Sequence, residues 1–222
     1  MTLTEEFILP LSGLRRPSDF FRAMQHAGER HLAAAGYPMD AMLACGRSLM
    51  LSHAGVRFLQ PDAAPDSVRT RMLGARGAHA ERAFWFYRGS ELVAVATNRC
   101  FCIDLATRKV VRPNWPMPGA AASAPLRLRR LTMPEPRAAC GVRAIDDGCI
   151  DYNGHVNNAW YCDFALDALG GGVPREIQLQ FMHEILPHTS VALFRTGRSH
   201  VCGTQDVPDE PDRICFIASC EW

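Results

Sequence analysis

The sequence predicts an α+β protein made of two similar units, each an antiparallel sheet that wraps one helix. Residues 113–137 contain six prolines and a run of small residues, which is typical of a linker. The flanking halves, residues 1–112 and 138–222, each begin with a helical stretch and continue with alternating, strand-like segments. Residues 55–68 also match a stretch within residues 177–191 at a constant offset of 123 positions, which indicates an internal duplication.

The matched positions of this repeat are mostly apolar. They pair Val56 with Leu179, Phe58 with Phe181, Ser67 with Ser190 and Val68 with Val191.

In the first half we expect one helix followed by four strands. Ser18 is expected to cap the helix and Gly36 to end it, with apolar residues recurring every three or four positions between them. Strands are predicted at 48–59, 67–74, 80–88 and 91–104, and the hairpin signal Arg-Gly-Ser at 88–90 lies before the last of them.

The second half repeats this order. A helix is predicted from about residue 155 to 169, and three successive glycines, 170–172, are expected to end it. Strands are predicted near 175–184, 189–198 and 213–222.

Composition excludes several classes of function. The 222 residues carry 24 basic and 23 acidic side chains, so a net charge of +1 argues against nucleic acid or an anionic membrane as a partner. No apolar run approaches the roughly 18–20 residues that a membrane span needs. The first residues lack the features of a signal peptide, so a cytoplasmic protein is expected. Lys109 is the one lysine, and phosphate-loop, dinucleotide-binding, serine-hydrolase and zinc-protease motifs are absent from the sequence.

The nine cysteines predict reduced thiols rather than disulfides or a metal site. None of them forms a Cys-x-x-Cys pair. Cys100 and Cys102 alternate along a predicted strand and so share one face, which is typical of buried core thiols. We therefore predict no metal and no cofactor.

The densest group of polar residues is the segment 151–161, in which Asp151, Asn153 and His155 precede a helical apolar pattern. These residues lie where a loop enters a helix, and unpaired amides at a helix start can bind a carbonyl oxygen as it gains negative charge. The structural alternative is that the acid or amide simply caps the helix. An acid, an amide and an imidazole spaced two apart exceed what capping needs.

Residues 151–169, DYNGHVNNAWYCDFALDAL, resemble the helix-entry motif of hotdog-fold thioesterases, an acid followed by GHVNN-x-x-Y. The 4-hydroxybenzoyl-CoA thioesterase-like enzymes share that run. The closer resemblance is to the acyl-ACP thioesterase family, in which two hotdog domains are fused in tandem. Residues 25–58 and 81–113 resemble that family's first helix and strand and its RxF…G…A…D-x-x-T-R-[KR] stretch. The resemblance implies two hotdog domains, 1–112 and 138–222, packed as a pseudo-dimer.

The same resemblance implies the catalytic residues. The family's Asp-x-Asn-x-His triplet matches Asp151, Asn153 and His155, and its glutamate matches Glu184, on a strand where partial burial is expected. Glu184 would be the general base and His155 would orient water or protonate the leaving thiolate. Asn153 would polarise the carbonyl, while Asp151 would either hold its neighbours or attack the carbonyl itself. The cysteine that often follows the family's glutamate is Ile185 here, which excludes a thiol nucleophile at that position.

The first half is expected to be catalytically silent, because Glu184 aligns with Pro61 at the repeat offset. The family's first domain supplies much of the acyl-chain pocket. The predicted substrate-binding residues are Phe20, Met24, Leu49, Asn157, Asn158 and Trp160.

The sequence therefore predicts that the protein hydrolyses the thioester between a fatty or polyketide-type acyl chain and acyl carrier protein. A homodimer is a possible assembly. The RLRRL cluster at 127–131, with Arg15 and Arg16, is a candidate docking surface for an acidic carrier; the alternative is that these are solvated linker charges. The alternatives are an acyl-CoA thioesterase, a double-hotdog dehydratase or hydratase, and an acyl-binding protein without turnover.

Overall fold

The computed structural model describes residues 1–76, 78–112, 123–151 and 154–222. The chain divides into a first unit, residues 1–15 and 22–128, and a second unit, residues 16–21 and 129–222. Among the described residues, no helix combines the length and the apolar character that crossing a bilayer requires.

The N-terminal part of the chain holds two helices and six strands. Their bounds are β1 Phe7–Pro10, α1 Pro17–Ala34, α2 Met39–Ala44, β2 Arg47–Phe58, β3 Ser67–Arg76, β4 His79–Arg88, β5 Glu91–Asp104 and β6 Val110–Val111. The sheet is antiparallel, in the order β1-β3-β4-β5-β2, with β6 on β5. Leu32 of α1 packs with Met72, Ala80 and Cys102 of the sheet, so the helix and the sheet share one core.

The C-terminal part holds one longer helix and five strands. Their bounds are β7 Ala138–Ala144, α3 Asn158–Ala168, β8 Glu176–Phe181, β9 Ser190–Thr196, β10 His200–Val207 and β11 Glu210–Glu221. The sheet is again antiparallel, and its order, β7-β9-β10-β11-β8, repeats that of the first unit strand for strand. Tyr161 of α3 packs edge-on against Phe181 and Phe216 of the sheet. Each unit is thus a hotdog fold, and the predicted α+β class is confirmed.

The strand ends agree with the repeat. β2 ends at Phe58 and β8 at Phe181, while β3 begins at Ser67 and β9 at Ser190. Both pairs of strand ends differ by the offset of 123 that the sequence predicts. The arrangement of the two units as a pseudo-dimer stays a prediction.

The helix signals are right at the C-termini and wrong at one N-terminus. Gly36 has φ +89° and follows α1, where the Tyr37 amide donates to the Leu32 carbonyl at 2.8 Å. Ser18, however, lies inside α1, because Pro17 is already its first residue. The cap comes from Asp19, whose carboxylate accepts from the Arg16 amide at 2.9 Å.

The predicted linker is described only from residue 123 onward, and residues 113–122 lie outside the described ranges. In the described part, Leu126, Leu128 and Leu131 are buried. The Leu126 amide donates to the Thr97 hydroxyl at 3.3 Å and the Leu131 amide to the Gln180 side chain at 2.7 Å. This part of the segment therefore packs as ordered structure.

Candidate active site

Asp151 and His155 lie before α3, which begins at Asn158, rather than in the first turn of the helix. Ile150 and Val156 form an isolated antiparallel bridge. Inside it, the Asp151 amide donates to the His155 carbonyl at 2.9 Å and the Gly154 amide donates to the Asp151 carbonyl at 3.0 Å. Gly154 has φ +78°, a conformation that favours glycine. The turn therefore fixes the backbone of His155 beside that of Asp151.

The cap of α3 is a different residue from those of the triplet. The Asn157 side-chain oxygen accepts from the Ala159 amide at 2.9 Å, and the Asn157 carbonyl accepts from the Trp160 amide at 2.9 Å. Capping is thus carried out by Asn157, so this role does not explain the presence of Asp151.

Glu184 lies in the loop 182–189, because β8 ends at Phe181. The predicted strand to residue 184 is therefore wrong at its end. The amides of Met182 and His183 both donate to the Cys215 carbonyl, at 2.9 and 3.1 Å. Two residues opposite one break the regular ladder, and the strand ends in this bulge.

Two buried side chains hold the loop that carries Glu184. The Tyr161 hydroxyl accepts from the Ile185 amide at 3.1 Å. The Gln205 side-chain oxygen accepts from the Leu186 amide at 3.3 Å, and its nitrogen donates to the Thr189 hydroxyl at 2.5 Å. The backbone on the C-terminal side of Glu184 is therefore fixed by groups from α3 and β10.

His155 and Glu184 meet in this arrangement. The His155 Nε2 atom lies 3.3 Å from the Glu184 Oε2 atom, and the two side chains are 42% and 31% exposed. The His155 Nδ1 atom is buried and has no hydrogen-bond partner among the residues that the structure describes. An imidazole and a carboxylate in direct contact, both reachable from solvent, can together accept and deliver a proton.

The pKa of the Tyr161 hydroxyl is affected by the charges around it. Burial raises the pKa of Tyr161, and the negative charges of Glu184 and Asp151 raise this pKa further, against the lowering effect of the Ile185 amide. The phenol therefore stays protonated near neutral pH. Both predicted acids thus lie within electrostatic range of one buried hydroxyl.

The remaining candidates have mixed surroundings. Asn153 lies outside the described residues. Phe20 and Met24 are buried, and Leu49 packs against the core of the first unit, so all three have a place in the core as well as a predicted role. The Trp160 ring stacks on Phe164 with 6.2 Å between centroids, and Asn158 is the first residue of α3.

The cysteines near the motif are buried thiols. Cys149 and Cys162 are both buried, and burial raises the pKa of Cys149. A raised pKa keeps the sulfur protonated, while a nucleophilic cysteine needs the thiolate. Ile185, at the position where the resemblance places a family cysteine, is fully buried.

Sequence reasoning missed Tyr161 and Gln205 as supports of the site. Tyr161 is the last residue of the GHVNN-x-x-Y run, so its place in the motif was a signal. For Gln205 the sequence offers no such signal, because the residue lies on β10 and reaches the loop only in the folded chain.

Residues 17–135 match the family model of the thioesterase-like superfamily. The chain belongs to this superfamily and is a thioester hydrolase by class. The matched range ends before Asp151, so the roles of the triplet and of Glu184 remain predictions.

Solved structures extend the likeness to nearly the whole chain. An acyl-ACP thioesterase from Bacteroides thetaiotaomicron aligns with a TM-score of 0.81 at 15% identity, covering 98% of this chain and 96% of its own. The 12:0-ACP thioesterase from Umbellularia californica aligns with a TM-score of 0.69 at 15% identity, covering 100% of this chain and 98% of its own. Likeness at such low identity establishes the hotdog fold. No curated protein matches the sequence.

Proposed function

We propose that the protein hydrolyses acyl thioesters carried by acyl carrier protein, with Glu184 as the base that activates water. The observation that carries this proposal is the contact of 3.3 Å between His155 and Glu184, both partly exposed. The names of the two similar structures, both ACP thioesterases, support the choice of carrier.

In the proposed reaction, Glu184 takes a proton from water as the oxygen attacks the thioester carbonyl. The carbonyl oxygen becomes an oxyanion, which the amide of Asn153 is proposed to stabilise. Glu184 then passes its proton to His155 Nε2, 3.3 Å away, and the intermediate expels the thiolate. His155 delivers a proton to the sulfur, which returns both side chains to their starting protonation states. Water and thioester thus give a carboxylic acid and a free thiol.

The structure bears on the choice between Glu184 and Asp151 as the group that starts the reaction. Glu184 contacts the imidazole directly, whereas the hydrogen bond from the Asp151 amide goes to the main-chain carbonyl of His155. We therefore assign Asp151 a positioning role. Rapid quenching and mass spectrometry of the intact protein should detect no acyl adduct, and an acyl group on Asp151 would contradict the assignment.

The first unit is proposed to hold the acyl chain and the second to carry the catalytic residues. For the carrier, Arg130 is exposed and is the more available candidate in the basic segment. Arg129 already lies 3.2 Å from Glu176 and 2.7 Å from Glu221. Arg130→Glu should raise KM for acyl-ACP and leave KM for the matching acyl-pantetheine unchanged.

A panel of acyl-ACPs and acyl-CoAs with the same acyl chains, scored for free thiol, tests the function. The expected result is thiol release with a higher kcat/KM for the ACP series. A higher kcat/KM for CoA would make the protein an acyl-CoA thioesterase. Loss of water from 3-hydroxyacyl chains without thiol release would identify a dehydratase, and binding without turnover would refute hydrolysis.

A further inference from the structure

The first unit buries a guanidinium group between α1 and its sheet. Arg82 of β4 is 4% exposed, and His31 of α1 is fully buried. The Arg82 Nη1 atom lies 2.7 Å from His31 Nδ1 and donates to the Thr70 hydroxyl at 3.4 Å. A buried charge costs several kcal/mol unless an opposite charge or a full set of hydrogen bonds compensates it.

That compensation is incomplete among the residues that the structure describes. The Arg82 Nη2 atom is buried and has no hydrogen-bond partner there. Burial and the charge of Arg82 lower the pKa of His31 to about 4, so the imidazole is neutral near pH 7. Burial raises the pKa of Cys100 to about 11, so this neighbouring thiol supplies no negative charge either. Arg82 itself, with a pKa lowered by burial to about 10, remains a cation.

The second unit indicates that the fold itself does not need this arginine. Arg82 pairs with Met72 across the strands β3 and β4, and Val201 pairs with Arg195 across β9 and β10. Since Arg195 follows Met72 by the repeat offset of 123, Val201 occupies the position of Arg82. Val201 is fully buried, so the same position accepts an ordinary apolar side chain.

The helix face opposite Arg82 changes from apolar to polar along its length. Met24, Gly28 and His31 follow one another at helical spacing, so they share one face of α1. A side chain at Gly28 would begin 3.6 Å from Arg82 Nε, so Gly28 lies beside the guanidinium and leaves room there for one additional carbon atom. Met24 and His31 are two turns apart, about 10 Å along the axis. Such a face suits a ligand with a methylene body and an anionic end.

We propose that Arg82, held by its hydrogen bond to His31, binds a carboxylate on the substrate's acyl chain. The enzyme would then act on thioesters of dicarboxylic acids, with Nη2 donating to the second carboxylate. This inference rests on the proposed function, because it assumes that the first unit holds the acyl chain.

Non-hydrolysable pantetheine amides of sebacic and decanoic acid test the inference, because they differ only at the far end of the chain. Calorimetry with the full-length protein should give at least about tenfold tighter binding of the sebacyl amide, a difference of about 1.4 kcal/mol. Arg82→Met should abolish the preference. Arg99→Met is the matched control, because Arg99 already pairs with Glu81 at 2.6 Å and should leave the preference intact. Equal binding of the two amides to the wild-type protein, or a preference that survives Arg82→Met, would overturn the inference.

Arg82→Gln serves as a second variant if Arg82→Met does not fold. If neither variant folds, the inference is tested by whether the wild-type protein binds the sebacyl amide more tightly than the decanoyl amide. Binding of the amides involves no turnover, so Glu184→Gln should show the same preference. An active Glu184→Gln variant that keeps the preference would refute the proposed mechanism alone. If Glu184→Gln is inactive and neither this variant nor the wild type prefers the sebacyl amide, the carboxylate site is refuted while the proposed mechanism stands.

Discussion

The loop 59–66 of the first unit and the loop 182–189 of the second leave their sheets in the same way. In the first, the amides of Leu59 and Gln60 both donate to the Val93 carbonyl, at 2.9 and 3.0 Å. In the second, two successive amides share one carbonyl in the same manner. The main chain therefore preserves the duplication at a point where the side chains have diverged.

The divergence includes the residue that is predicted to be the general base. Glu184 contacts His155 in the second unit, while the corresponding residue of the first unit is Pro61, which cannot ionise. The connection before the helix differs as well. It runs over residues 11–16 in the first unit and over the longer stretch 145–157, which includes the triplet, in the second. The two units therefore share a main-chain frame, while among the described residues the contact between His155 and Glu184 belongs to the second unit.

The largest expected effect is at the acid that distinguishes the two loops. Glu184→Gln should lower kcat on the order of 10²–10⁴-fold, because a general base is removed. Asp62→Asn is the matched control, since Asp62 is an exposed acid of the corresponding first-unit loop, and it should leave kcat unchanged. Thioesterase rates of the two variants decide the point. An active Glu184→Gln variant would remove the functional contrast between the loops.

The buried imidazole of His31 predicts that the stability of the protein depends on pH. The pKa of His31 falls from 6.5 to about 4 on folding, so the unfolded chain binds a proton in this interval that the folded chain does not. The free energy of unfolding should therefore fall as the pH is lowered from 6.5 towards 4, by on the order of 3 kcal/mol, and this effect should vanish above 6.5. Urea unfolding of the wild type and His31→Gln measures it. Equal slopes in the two proteins would show that His31 does not cause the dependence.

A smaller effect is expected at the hydroxyl that supports the Glu184 loop. Tyr161→Phe keeps the ring contacts and removes one hydrogen bond, which is worth about 1 kcal/mol and corresponds to a loss in kcat of about fivefold. Because both residues act on the same step, Tyr161→Phe should cost nothing further in a Glu184→Gln background. Tyr87→Phe in the first unit is the control. Additive losses would mean that Tyr161 acts only through general stability.

The smallest effect on activity is expected at the cysteines. Cys149→Ala and Cys162→Ala should leave kcat unchanged, because both thiols are buried and the pKa of Cys149 is raised. Thiol release by folded variants, checked by circular dichroism, measures this. If a cysteine variant is folded but inactive while Glu184→Gln is active, the nucleophile is a cysteine thiolate rather than water activated by Glu184.

The sequence could predict strands with a clear apolar pattern, such as β3 and β5, but β1, β7 and β10 were not predicted. In β10, residues 201–205 are all buried, but Gly203, Thr204 and Gln205 are not large apolar residues, so the strand shows neither an alternating nor a continuous apolar pattern. β1 has four residues and β7 is mostly small and exposed, so neither produces a clear period.

The site likewise has features that the sequence can show and features that depend on tertiary contacts. The resemblance to the acyl-ACP thioesterase family implies His155 and Glu184 as catalytic residues, because both occupy positions that match the family's motif in the sequence. The bulge that ends β8 before Glu184 is set by the Cys215 carbonyl of a distant strand. The support from Gln205 likewise depends on tertiary contacts, which a pattern along the chain does not contain.

The bulge at the end of β2 uses only main-chain atoms, so it leaves the side chains of the following loop free to change. Pro61 has no amide hydrogen, and its replacement removes no backbone donor. In the first unit, evolution or design can therefore replace Pro61 with an acidic residue without changing the end of the strand. A second working centre would still require an imidazole, and the six-residue connection before α1 is the segment that would have to grow.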